Sequence, residues 1–217
     1  MRAPARNAEA RAWAHLVDEA RALSRRYDDD PEHAERVLAH ARLLLPASAA
    51  ALDHPRRLEA YALRLDLAAL LHDIGRCVAV REHNRHSRYL IRHLAVTQPW
   101  PEGLREEVAV LAGAHRGPVR ASELRRRLRG DRDLVRLTAL LRVADGLDRS
   151  HAPGVEIVRF TPAAGGWVLS ASGLSERDRS RLEARKADLF SHAFGATITI
   201  QTELAPLRAA RGADDAG

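Results

Sequence analysis

Cysteine, lysine and aromatic rings are scarce in this chain: Cys77 and Lys186 are the only residues of their kinds, and aromatics make up 4% of 217 positions. A single thiol excludes an internal disulfide framework and a cysteine-rich zinc site, and it favours a reducing, cytoplasmic compartment. No apolar run approaches a membrane span, and the Arg- and Ala-rich start lacks a signal peptide's apolar centre, so no membrane partner is expected. Nor is there a glycine-rich phosphate loop. With few rings for base stacking, Arg125-Arg126-Arg127 and Arg129 read as a solvated helix face, which argues against nucleic acid as a partner. The net charge of +6 rests almost wholly on arginine, so part of the basicity reflects a base-composition bias in the coding sequence; an anionic substrate still fits. Hydrophobic content of 46% with 29% charged residues is ordinary globular usage, enough for one core and a small appendage.

What is present centres on His72-Asp73-Ile74-Gly75. Upstream, Leu58, Tyr61, Leu65 and Ala68 recur with the spacing of a buried helix face, and His72 is the next member of that stripe. The same continuation appears elsewhere. Leu104, Val108 and Leu111 lead to His115; Leu134, Leu137 and Leu141 lead to Asp145; His33 precedes Val37, Ala41 and Leu44, and His86 precedes Leu90 and Leu94. A buried, unpaired carboxylate costs several kcal/mol, so these five inward groups and Asp73 beside His72, six in all, ask for a cation. Without a metal, the same groups would form a buried His-Asp hydrogen-bond network.

In chain order, a packing helix spans about Ala8 to Tyr27, with Asn7 as its cap. Asp30 caps a second helix that has Pro31 in its first position and His33 in its first turn. Pro46 and Pro55 bracket a loop containing His54, and a long helix then runs to Asp73 and stops at Gly75. A polar loop from Arg81 to Arg85 holds His83, the rival of His86 as a ligand. Helices follow over roughly His86 to Val96 and Glu102 to His115, then a short basic one from Ser122 through Arg129, and one from Asp131 to near Ser150. Beyond Pro153-Gly154, Val155 to Phe160 and Trp167 to Ala171 read as a hairpin, Ser175 starts one helix that ends at Gly195, and Thr197 to Thr202 form a strand. The expected fold class is therefore mostly α, a helical bundle over residues 1–152 with an α+β appendage over 153–203. Residues 204–217 carry too little apolar surface to fold.

His33, then His72-Asp73, then Asp145 in that order resembles the signature of the HD superfamily of metal-dependent phosphohydrolases. The strings DPEHAERV, ALLHDIG, HNRHSRYLI, GAHRG, LLRVADGLDRSH and ARKADLFSHAFG resemble the C-terminal HD region of the exopolyphosphatase/guanosine pentaphosphate phosphatase (Ppx/GppA) family over roughly residues 7 to 203. The resemblance implies that His33, His72, Asp73 and Asp145 hold one ion and that His86 and His115 help hold a second, with Asp73 bridging the two. It implies a hydroxide between the ions as nucleophile. Imidazole and carboxylate ligands without thiolate suit Mn, Fe, Ni, Co or Zn, with Mg possible if histidines contribute little. Asp73, Arg76 and Arg116 would stand at the chemistry, and Arg76, Arg116 and Arg149 could clamp phosphate through their fixed fork of donors.

Departures from the relatives narrow the reaction. These 217 residues do not include the actin-like domains in which full exopolyphosphatases act, so that mechanism is not expected to carry over. Arg116-Gly117-Pro118 follows His115 where cyclic-dinucleotide phosphodiesterases have Gly-Tyr-Pro, and Ile74-Gly75-Arg76 follows Asp73 where stringent-response hydrolases have an acidic pair. What is left is a phosphohydrolase acting on an ester or anhydride of a nucleotide or another small phosphorylated compound, in a monomer or a homodimer. The alternative is a non-catalytic module that binds polyphosphate or a nucleotide. Asp148 either orients a ligand or caps its helix. His15, His40, His54, His93, His151 and His192 read as structural or solvated, and Cys77 as a packed or incidental thiol.

Overall fold

A helical stretch that is apolar all round belongs inside a protein, and the end of Leu58–Leu71 (α3), from Leu67 to Leu71, is such a stretch and is wholly buried, while Arg64 and Asp66 before it are paired with Glu107 and Arg42. The computed structural model describes residues 3–150 and 154–203. In it α1 (Ala3–Tyr27), α2 (Pro31–Ala47) and α5 (Glu102–Gly113) pack against α3. A second buried helix, α7 (Arg132–Leu147), packs against α2, α3 and α5, while α4 (His83–His93) lies on α5 and the short α6 (Ala121–Arg127) reaches α7. The molecule is mostly helical, with a small sheet at its C-terminal end.

That sheet is built from β1 (Glu156–Ala163), β2 (Gly166–Ser172) and β3 (Thr197–Glu203), in that spatial order. β1 and β2 form the expected antiparallel hairpin with Phe160 opposite Leu169, whereas β3 runs parallel to β2 with Leu169 opposite Ile200. A parallel neighbour needs a crossover, which here is the helix pair α8 (Glu176–Arg185) and α9 (Ala187–Phe194). Four of the nine aromatic residues gather here: Phe160, Trp167, Phe190 and Phe194 meet with centroid separations of 4.3 to 6.2 Å. α9 packs on α7, so the apolar core runs without a break from the bundle into the sheet.

Several elements differ from the sequence reading, each for a local reason. The helix expected from His86 begins at His83, because Glu82 takes a left-handed conformation (φ 58°) that turns the chain into the helix three residues early. The helix expected between Ser175 and Gly195 is two, broken at Lys186. Pro46 falls inside α2, which is closed instead by Ser48, whose backbone N–H reaches the carbonyls of Leu44 and Leu45 at 3.1 Å each. The first helix starts at Ala3, so Asn7 lies within it, and the basic helix has Arg120 rather than Ser122 at its N-terminal boundary. Asp30 and Asp131 do cap their helices, accepting from His33 N at 3.0 Å and from Asp133 N at 2.9 Å. The boundary at 152/153, His151 and the segment 204–217 lie outside the described residues.

One polar knot anchors α7. The fully buried Asp133 accepts from Asp53 N (2.8 Å), His54 N (2.9 Å), Tyr61 Oη (3.1 Å) and Arg136 Nη1 (2.6 Å), tying the loop before α3 to the first turn of α7. A carboxylate with four donors is satisfied even where water is absent.

Candidate metal centre

The centre forms where the C-terminal end of α3 meets the first turns of α2 and α4, the loop after α5 and the last turn of α7. His72 and His115 sit just past apolar helices, where the chain leaves the helix but the side chain stays on the buried face. Each ring is fixed by a nearby carbonyl. His72 Nδ1 donates to Ala69 O at 2.7 Å, His115 Nδ1 to Ala112 O at 2.7 Å, and His83 Nδ1 lies 3.0 Å from Val80 O. With the proton on Nδ1, the Nε2 lone pair is the group presented inward.

His83 is delivered by a close approach of α4. Gly75 leaves room for it: a Cβ there would lie 2.2 Å from His83 O and 2.3 Å from Ser87 N. Ser87 completes the joint, accepting from Gly75 N at 2.9 Å and donating to His72 O at 2.6 Å. His33, in the first turn of α2, is held from behind by Asp148, whose Oδ2 is 2.6 Å from its Nδ1; Arg36 Nε donates to both Asp148 oxygens at 2.8 and 2.9 Å.

These placements gather two overlapping donor groups, His33 with His72 and Asp73, and Asp73 with His83 and His115. His72 Nε2 lies 3.3 Å from His33 Nε2, and His83 Nε2 lies 3.2 Å from His115 Nε2. Asp73 Oδ1 has Nε2 of His83, His115 and His72 at 3.0, 3.4 and 3.5 Å, and Asp145 Oδ1 is 3.5 Å from His33 Nε2 and 3.9 Å from His72 Nε2. Donors sharing one ion at about 2.1 Å stand roughly 3.0 to 4.2 Å apart, which these separations match. Close as the rings are, Asp73 Oδ1 is buried and accepts no hydrogen bond among the described residues. Ring lone pairs turned on one another and on a carboxylate oxygen repel unless positive charge lies among them.

The same contacts shift the acids and bases of the centre. Burial favours the neutral form of Asp73, yet His72, His83 and His115 hold its carboxyl well below the usual range; Lys186 and His33 do the same for Asp145. Burial also works against a charged His33, but Asp145 and Asp148 on its two sides push it up to about 10. His115, wholly desolvated and beside His72, is held well below the ordinary histidine value.

The sequence-derived residues fall as follows. His33, His72, Asp73, His115 and Asp145 come together, and His83 joins them. His86 does not: it is half-buried on α4, one turn along from His83, and belongs to neither donor group. Arg76, Arg116 and Arg149 line the pocket of about 180 Å³ over the cluster, together with Lys186. Arg76 is paired with Asp29 at 2.6 Å and stands 3.9 Å from Asp73 Oδ2, and Arg116 Nη1 lies 3.1 and 3.4 Å from the two ring nitrogens of His83. Lys186, unmarked by any sequence pattern, donates to His115 O at 3.0 Å and pairs with Asp145 Oδ2. Of the other histidines, His54 serves Asp133, His15 pairs with Glu19 and His192 turns to its own helix. Cys77 is exposed.

A family model described as Ppx/GppA phosphatase, domain III, matches residues 18–169, well over half of the chain. The chain belongs to this family. The match spans α2 to α7 and so every donor of the Ppx/GppA domain III centre, while Lys186 lies beyond it. No curated protein matches the chain significantly. No described helix is long and apolar enough to cross a membrane.

Proposed function

We propose that the chain is a metal-dependent phosphohydrolase that cleaves a phosphate ester or anhydride of a nucleotide or another small phosphorylated compound. The observation that carries this reading is Asp73 Oδ1, buried without a hydrogen bond amid the Nε2 atoms of three histidines. His33, His72, Asp73 and Asp145 would hold one divalent ion, and Asp73, His83 and His115 a second. Mn, Fe, Ni, Co or Zn suits that donor set. Bound there, such ions supply Lewis acidity and a water acidic enough to attack phosphorus near neutral pH.

The chain's own groups do the rest. Arg76, Arg116, Arg149 and Lys186 face one small pocket and set positive charge around the oxygens of a phosphoryl group, where charge builds up during transfer. Carbonyl and carboxylate partners behind the rings keep the Nε2 atoms aimed before substrate arrives. Metal analysis of the purified protein, joined to a phosphate-release screen of nucleotides, alarmone nucleotides and polyphosphate with wild type and Asp73→Ala, tests the proposal. The expected result is bound metal and release that Asp73→Ala abolishes; equal release by both proteins from every compound refutes it.

A second reading has its own support. A groove of about 700 Å³ between α4, α6 and the loop after α5 is lined, among the described residues, by Arg81, Arg85, Arg88, Arg116, Arg120 and Arg127 against Glu82 and Glu123, with no aromatic ring. Because Arg116 belongs to both groove and pocket, the basic lining continues to the metal-type cluster. Such a surface also suits a regulatory module that holds a polyanion without turnover. That reading predicts tight, salt-sensitive polyphosphate binding that Asp73→Ala leaves intact, with no phosphate released.

A further inference from the structure

All but one of the 35 lysine and arginine residues are arginines, and the exception is spent inside the protein. Lys186 stands at the break between α8 and α9, with φ −124° and ψ −29°, and is 6% exposed. Its backbone N–H still donates to Leu182 O at 2.9 Å, so α8 closes normally and the break turns only the side chain toward α7. The path of that side chain is cleared by Gly146, next to Asp145. A Cβ there would meet Leu182 Cδ1 at 2.3 Å and Lys186 Cγ at 3.2 Å. The missing side chain at Gly146 thus leaves room for the lysine stem, and Lys186 brings a compact ammonium where the chain's other cations are planar guanidinium groups.

At the end of that path Lys186 Nζ takes Asp145 Oδ2 and His115 O, one group from each of two elements that carry donors. We infer that Lys186 is a positioning residue of the metal centre: it occupies Asp145 Oδ2, so that Asp145 meets an ion through Oδ1 alone, and it pins the loop that carries His115. This rests on the metal-centre reading above. With Oδ2 held, Oδ1 is the oxygen beside His33 and His72, at 3.5 and 3.9 Å. Freed of the ammonium, the carboxylate can chelate through both oxygens or swing away, and either changes the coordination number. Partners behind first ligands commonly act in this way, at tenfold or more in metal affinity.

The sign of the effect separates positioning from plain electrostatics. Removing a positive charge near a cation site should by itself tighten cation binding, whereas removing a residue that aims a ligand should weaken it. The experiment uses the full chain, Co²⁺ as the ion, and the variants Lys186→Met and Lys186→Gln. Expected are a Co²⁺ affinity lowered about tenfold or more, a visible Co²⁺ absorption band altered in position and intensity, and near-native circular dichroism. An unchanged band with unchanged or tighter affinity overturns the inference, even if the variants melt earlier, since an anchor for folding alone would give that result. Should both variants fail to fold, wild type decides. Its single lysine gives a single side-chain ¹⁵N signal, which Zn²⁺ loading should shift, and a signal indifferent to bound Zn²⁺ refutes the proposal. Wild type that takes up neither ion refutes the metal-centre reading itself, whereas metal uptake with either negative result above refutes only the role of Lys186.

Discussion

Asp148 offers the sharpest test of how the centre is held. It contributes no donor to either group, yet it is 1% exposed and reaches His33 Nδ1 at 2.6 Å while Arg36 fixes both its oxygens from the other side. Replacing it with alanine removes the acceptor that sets both the tilt and the tautomer of His33, without touching an ion. Partners of this kind change metal affinity about 10- to 100-fold. At about 1.4 kcal/mol per decade this corresponds to roughly 1.4 to 2.8 kcal/mol of binding free energy. Competition with a chromophoric chelator at one fixed pH reads this range directly. Arg36 is partly exposed and can turn to water, so the fold should survive with only a modest loss of stability. Asp148→Asn keeps one oxygen for the ring proton and should fall between wild type and Asp148→Ala. An affinity for Asp148→Ala within about twofold of wild type, outside the range of such partners, would show that His33 needs no help in facing the ion, and the geometric account of the centre would fail.

Three further outcomes follow from the same structure. His83→Ala should lower the metal content or affinity of the purified protein while His86→Ala leaves both unchanged, as measured by elemental analysis; equal behaviour of the two variants would place the second donor group wrongly. Asp133→Ala strips a buried carboxylate from Tyr61, Arg136 and two backbone N–H groups and should cost about 3 to 5 kcal/mol in urea unfolding. Asp133 is also held below its ordinary carboxyl value, mainly by the Asp53 N–H and Arg136 against the effect of burial, so its contribution is complete above the unfolded value near 4 and is lost as pH falls through the folded one. The wild type should therefore lose stability on acidification more steeply than Asp133→Asn, as followed by melts between pH 6 and about 2.5. Gly75→Ala would drive a methyl into the backbone of His83 and Ser87, and is expected to lower metal affinity and stability together, since both need α4 seated on the turn after His72.

Much of the bundle could be read from pattern alone because its helices are long and strongly periodic. The apolar face of α3 and the caps at Asp30 and Asp131 are local signals, and local signals survive folding. The breaks were harder to see. Nothing near Lys186 marks a helix end, since Leu182, Leu189 and Ala193 keep a helical rhythm through it; the interruption follows from the pairing of Lys186 with Asp145, 41 residues away. The parallel placement of β3 has a similar origin, because a short strand does not carry the identity of its neighbour. The scarcity of aromatic residues was informative in composition but silent on place. It took the fold to show Phe160, Trp167, Phe190 and Phe194 concentrated under the sheet.

The choice between His83 and His86 shows where stripe-reading stops. His86 shares a face with Leu90 and Leu94, so periodicity favours it, but that rule assumes that a donor belongs to the face its helix buries. His72, His83 and His115 obey a different one. Each lies at a helix boundary with Nδ1 close to the carbonyl three residues earlier, of Ala69, Val80 and Ala112. At a boundary that carbonyl lacks the usual helical partner four residues on and can fix the ring, although Ala112 O also accepts from His115 N at 3.3 Å. His72, His83 and His115 therefore arrive with Nδ1 held and Nε2 inward; His192, inside α9, also turns Nδ1 to a carbonyl, that of Asp188, but belongs to neither donor group. The consequence reaches past this pair. If boundary placement selects the donors, moving the boundary should move the donor: Glu82→Pro, which forbids the left-handed turn that starts α4, should cost metal affinity as His83→Ala does, while leaving the His83 side chain in place. A Glu82→Pro protein that keeps wild-type affinity would show that burial alone selects the ligands.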